Sequence, residues 1–131
     1  SWTATGASGL PALPGLDERD RGAFYGVTLL PNLIVNYHTD VVSTFLLDPV
    51  APDRTRVTCH YLFRPETVAG PGFDPGPVVD FRHRLAEQDW AVCARAQLGM
   101  GSRGYAEGGV LPYNDRYVYA FHRRYLALRD G

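Results

Sequence analysis

The chain has 131 residues, of which 45% are hydrophobic and 21% charged, and its formal net charge is −1. These values fit one globular domain of ordinary soluble composition, and the near-neutral charge gives no electrostatic basis for binding nucleic acid. No apolar run approaches the roughly 20 residues of a membrane-spanning helix, and residues 1–15 lack the basic end and apolar block of a secretory leader.

Residues 1–22 are rich in Gly, Pro, Ser and Ala and end in a charge cluster, Asp17 to Arg21, so they read as an irregular lead-in. From Ala23 the pattern becomes aromatic and β-branched, which predicts a strand over Ala23–Leu30, closed by the turn signal Pro31-Asn32. Leu33–His38 follows as a second strand and Val41–Leu47 as a third. Pro49 to Asp53 is expected to be a connection, because proline fixes the backbone and removes donors. Arg54–Phe63 alternates cleanly, with Val57, Cys59, Tyr61 and Phe63 on one face and Arg56, Thr58, His60 and Leu62 on the other. Four successive strands with short turns predict an antiparallel meander.

The period then changes. Pro65 to Pro77 reads as loop, and Asp74-Pro75 as the capped start of a helix. From Val78 to about Met100, apolar residues recur every three or four positions: Val78, Phe81, Leu85, Val92, Ala96 and Gly99. Gly101, Gly104 and the Gly108-Gly109 pair end it, and a last helix is predicted from about Pro112 to Arg129. The fold class is therefore α+β, an antiparallel sheet with long C-terminal helices packed on it.

Few residues look chemical. Cys59 and Cys93 are isolated and His38, His60, His83 and His122 scattered, so no zinc spacing exists and both cysteines read as structural. A chain with so few cysteines suits a reducing cytoplasm. His38 reads as an exposed or turn-lining strand residue. Asp89 is the anomaly: it lies four residues after Leu85 and three before Val92, on or beside the apolar stripe. A buried carboxylate costs several kcal/mol unless something pairs with it. Either an arginine neutralises it, with Arg82, Arg84, Arg95 and Arg103 in reach along the sequence, or the helix exposes that edge, or it binds a metal facing a pocket between helix and sheet.

The run Gln88-Asp89-Trp90-Ala91-Val92-Cys93-Ala94-Arg95-Ala96-Gln97-Leu98-Gly99, followed by Ser102-Arg103-Gly104-Tyr105, resembles the C-terminal signature of the α subunits of Rieske-type non-haem iron oxygenases. Phe24-Tyr25 through Leu29-Leu30-Pro31-Asn32-Leu33, then Tyr37-His38, Val50-Ala51-Pro52-Asp53-Arg54-Thr55 and Phe121-His122-Arg123-Arg124-Tyr125-Leu126, resemble further segments of that family in the same order. The resemblance covers about Ala23 to Leu128, and the branch with choline and glycine-betaine oxygenases is the nearest in flavour.

The resemblance implies a partial helix-grip, START-like catalytic domain and a mononuclear iron(II) held by two His and one Asp, with Asp89 at the Asp position. It implies dioxygen and a small aromatic or N-methylated organic substrate, electrons from a reductase or ferredoxin through a 2Fe-2S Rieske cluster, and a homotrimer. The chain departs from the family in two ways. It has no Cys-x-His followed by Cys-x-x-His, so it cannot build the Rieske cluster, and residues 1–22 contain no His to supply the two imidazole ligands. It therefore reads as a fragment, residues 23–131 forming the C-terminal part of the catalytic domain, inactive alone. The competing reading is a START-like module that binds a small ligand without metal. Elsewhere the expectations are plain: Tyr105, Tyr113, Tyr117, Tyr119 and Tyr125 are packing and interface residues rather than catalysts, Asp115 suits a helix start, and Cys93 is a small core residue.

Overall fold

The structure, a computed structural model, describes residues 3–105 and 112–131, so the expected Gly108-Gly109 helix stop lies outside the described residues. The chain divides into two compact units, Ser1–Ala94 and Arg95–Gly131. Among the described residues no helix is long and apolar enough to cross a membrane.

The first unit opens with a lead-in that contains one helical turn, α1 (Glu18–Arg21), capped by Asp17, whose Oδ1 accepts the Asp20 N–H at 2.8 Å. Four strands follow: β1 (Tyr25–Leu29), β2 (Leu33–Tyr37), β3 (Val42–Ala51) and β4 (Arg54–Leu62). They form one antiparallel sheet in the order β1-β2-β3-β4, the meander that the short turns predict. The first hairpin turns at Leu30-Pro31-Asn32, through a cis Leu30–Pro31 peptide, with Leu29 opposite Leu33. Asn32 ties this turn to the third strand, its Nδ2 donating to the Leu47 carbonyl at 2.9 Å.

β3 is longer than its sequence suggests. Pro49 was expected to end it, yet the strand continues to Ala51 and turns only at Pro52-Asp53. Two features reconcile a proline with the ladder. The register slips between Pro49 and Ala51, so Val50 is an extra residue in a bulge. β2 pairs with β3 only from Val42 to Leu46, so no strand on that side asks Pro49 for a donor. On β4 the expected alternation appears: Val57, Cys59 and Tyr61 are half-buried, while Arg56, Thr58, His60 and Leu62 are exposed.

The segment expected to be loop after β4 contains a short helix, α2 (Pro65–Val68), started by Pro65 at its first position. The long helix, α3 (Gly76–Met100), begins as the Asp74-Pro75 pair predicts, with Asp74 Oδ1 accepting the Gly76 N–H at 2.9 Å. It closes where Gly101 donates back to Gln97 at 3.1 Å. Only Val78 and Arg82 of its side chains are buried.

The buried residues of the first unit centre on the β2–β3 corner, where Val41 and Ser43 are fully buried. Val35, Val41 and Val78 form its apolar part, and Thr3, His38, Asp40, Ser43 and Arg82 its polar part. The lead-in closes over this corner: the Leu13 N–H donates to the Thr39 carbonyl at 2.7 Å and the Thr39 hydroxyl to the Arg21 carbonyl at 2.7 Å. The second unit contains a 3-10 turn, Tyr113–Asp115, and the last helix, α4 (Arg116–Asp130), with every side chain of α4 exposed.

Candidate functional site

α3 carries Asp89 because a long run of good helix formers follows the Asp74-Pro75 start with no breaker before Gly99. The carboxylate is exposed, the alternative in which the helix leaves that edge uncovered. Beyond Arg82 the side chains of α3 are exposed apart from a half-buried Ala86, Leu85, Trp90 and Val92 among them. Cys93, expected in the core, is exposed as well. Nor does an arginine neutralise Asp89: among the described residues no ion pair includes it. Nearby, His83 faces Glu87 at 3.5 Å and stacks edge-on to Trp90 with ring centroids 6.1 Å apart.

Arg82, one of the arginines considered as a partner for Asp89, turns to the sheet instead. Its Nη1 donates to His38 Nε2 in a buried hydrogen bond. That bond requires the unprotonated ring nitrogen, so His38 is neutral with its proton on Nδ1. Burial, and then the charge of Arg82, hold the His38 pKa at about 4, against the pull of Asp40 in the other direction. His38 is thus a buried corner residue, 6% exposed, where sequence reasoning expects an exposed or turn-lining one. Its ring also lies 4.9 Å from that of Phe24.

The same corner holds three more polar groups. Asp40 Oδ2 accepts from the Ser8 hydroxyl, while Asp40 Oδ1 and Ser43 Oγ have no partner among the described residues. Arg82 Nε and Nη2 are likewise buried without an acceptor. Burial pushes the Arg82 pKa down, while Tyr61 and Asp40 pull it back up. Burial also raises the Tyr61 and Cys59 pKa values. This cluster escaped sequence reasoning, although one signal was present: Arg82 falls on the Val78 side of α3, where an apolar residue was due.

Arg82 and Asp89 are seven residues apart. At 100° per residue they return to within about 20° of each other around the helix, roughly 10 Å apart along its axis. The side chain anchored to the sheet and the candidate ligand therefore share one side of α3.

As a donor, Asp89 suits iron(II): a hard anionic oxygen on an accessible helix surface. Among the described residues no group of three His, Cys, Asp or Glu side chains is close enough to hold a metal. These residues therefore do not build an iron site by themselves, and no reaction step is assigned to them.

In the second unit Tyr105, Tyr113, Tyr117, Tyr119 and Tyr125, expected as packing and interface residues, are exposed, Tyr113 and Tyr117 most of all. Arg116 lies over the Tyr117 ring at 4.6 Å and the Tyr113 ring at 5.4 Å. Asp115 occupies the N-cap of α4 but makes no side-chain cap hydrogen bond.

Comparison with known proteins gives one family. Residues 1–130 match the model described as ring hydroxylating alpha subunit (catalytic domain). The match includes the lead-in as well as the sheet and helices. No curated protein matches the chain.

Proposed function

Because the chain belongs to the family of ring-hydroxylating α-subunit catalytic domains, we propose that it is part of a Rieske-type oxygenase α subunit that activates dioxygen at mononuclear iron(II) to hydroxylate a small organic substrate. The family match over residues 1–130 carries this reading. The substrate is an aromatic or N-methylated compound, as the sequence resemblance implies. Electrons reach the iron from a reductase or ferredoxin through a 2Fe-2S Rieske cluster held outside this chain, in a protein that assembles as a homotrimer. The reducing cytoplasm is the matching compartment, in line with two free cysteines, Cys59 and Cys93.

Asp89 is the iron ligand contributed by this chain. Support comes from its place in the Gln88-to-Gly99 run and from its accessible carboxylate. A facial triad needs one carboxylate and two neutral imidazoles, leaving positions open for dioxygen and substrate. The chain alone is inactive, because one carboxylate does not retain iron(II).

The test is Asp89→Ala in the holoprotein that carries this domain. Mononuclear iron and turnover are expected to be lost while the visible absorbance of the Rieske cluster persists. Mononuclear iron retained at the wild-type level would remove Asp89 from the ligand set.

A further inference from the structure

We propose that one face of the sheet is a self-association surface, and that its occupant is the same face of a second copy of this chain. The proposal does not depend on the iron reading of Asp89.

The face follows from register. Side chains alternate across a strand, and residues paired across an antiparallel ladder share a face. One row across the four strands is therefore Tyr25, Tyr37, Val42 and Leu62. The next is Val27, Val35, Thr44 and His60, and the third is Leu29, Leu33, Leu46 and Thr58. Beyond them the face ends in Asp48 and Arg56, which pair with each other at 3.4 Å. Within the three rows the polar members, Thr44, Thr58 and His60, all lie on β3 and β4. On this face β1 and β2 present apolar side chains alone.

The two faces of the sheet are covered unequally. On the opposite face Ser43 is fully buried, and Cys59 and Tyr61 are half-buried. On this one Val35, in the middle row, is buried, but Tyr25, Val27, Leu29, Tyr37, Leu46 and Leu62 are 39–53% exposed. A contiguous apolar patch with a polar border is the usual mark of a protein-binding surface.

Three arguments make the occupant a second copy. The first is size. Those six side chains together leave roughly 500 Å² open, so two patches face to face remove roughly 1,000 Å² from water, the area at which a specific association begins to hold. The second is charge. A two-fold axis sets a surface against itself, and any charge in it then meets its like. The three rows contain no Asp, Glu, Lys or Arg, and the ion pair at their end is already neutralised. The third is shape. Every sheet twists in the same sense, so a second sheet fits this one across its whole width, with strands about 30° apart and side chains interdigitating. This contact is separate from the threefold assembly proposed above. Added to it, the contact would join trimers in pairs.

The experiment is sedimentation equilibrium on the complete 131-residue chain, from about 5 to about 200 μM, where a small interface of this kind associates. Three variants are compared, each with its denaturant midpoint as a check on folding. Val27→Lys and Leu46→Lys put a charge into the patch from two different strands. Thr28→Lys puts the same charge on β1 but on its other face, where Thr28 is also exposed. The wild-type chain is expected to double its mass as concentration rises. Val27→Lys and Leu46→Lys are expected to weaken this association about tenfold or more, since each buries an unpaired charge at the contact. Thr28→Lys is expected to stay within about threefold of wild type.

A wild-type chain whose mass does not double over this range would overturn the proposal. So would undiminished association in Val27→Lys and Leu46→Lys. If Thr28→Lys weakens association as much as Val27→Lys, the contact runs along the β1 edge and the face is not the surface. Should Val27→Lys fail to fold, Leu46→Lys against Thr28→Lys decides: equal association in those two overturns it.

Discussion

His38 is neutral because burial and the adjacent Arg82 charge both disfavour its protonated form, which puts its pKa at about 4 against an ordinary 6.5. The unfolded chain therefore binds a proton between these values that the folded chain does not. Stability from this group is complete above pH 6.5 and is lost as pH falls toward 4, at up to about 1.4 kcal/mol per pH unit. Denaturant unfolding at pH 7 and pH 5 should show the decline, and His38→Gln should flatten it; an equal slope in both proteins would place the titration elsewhere. His38 also marks a limit of reading residues one at a time. Its position at the end of a strand was legible from Leu33–His38, but its burial depends on Arg82, forty-four residues later. Asp89 shows the converse. The motif singled it out, but its spacing left burial and exposure both open, and the structure leaves that part of α3 exposed.

At the scale of elements, α3 divides into an anchored foot and an uncovered shaft. Val78 is fully buried and Val92 is 55% exposed, although both belong to the same apolar pattern. Val78→Ala should cost roughly 1.5–3 kcal/mol, from lost burial and the cavity left behind. Val92→Ala should change stability by no more than about 0.5 kcal/mol, as surface substitutions do. Chemical denaturation of the pair measures the difference, and comparable losses would mean that the shaft is covered in the folded protein. The strands were largely legible because a period of two and turn residues such as Pro31-Asn32 are local signals. β3 outran its prediction because a proline ends a strand only where a partner needs its missing donor, and here a bulge and the shorter β2 remove that need.

At the scale of the whole chain, large apolar side chains stand exposed on the sheet and both long helices. Leu29, Leu62, Leu98 and Leu128 are each at least half exposed. Apolar surface of this kind binds hydrophobic dyes and marks places where other protein surface belongs. The 131-residue chain expressed alone should enhance ANS fluorescence at neutral pH, and a chain that leaves the dye unbound would have covered these side chains in solution. The amino-acid sequence by itself determined the order and type of the main elements, the antiparallel meander and the family. The elements and the meander follow from periodicity and turn residues, which are local signals, and the family from the resemblance of ordered motifs. Only the tertiary structure decided that Arg82 faces His38, that the buried centre is the polar β2–β3 corner, and that Asp89 is exposed. Burial is set by whichever element lies opposite a side chain, and that neighbour is remote in sequence.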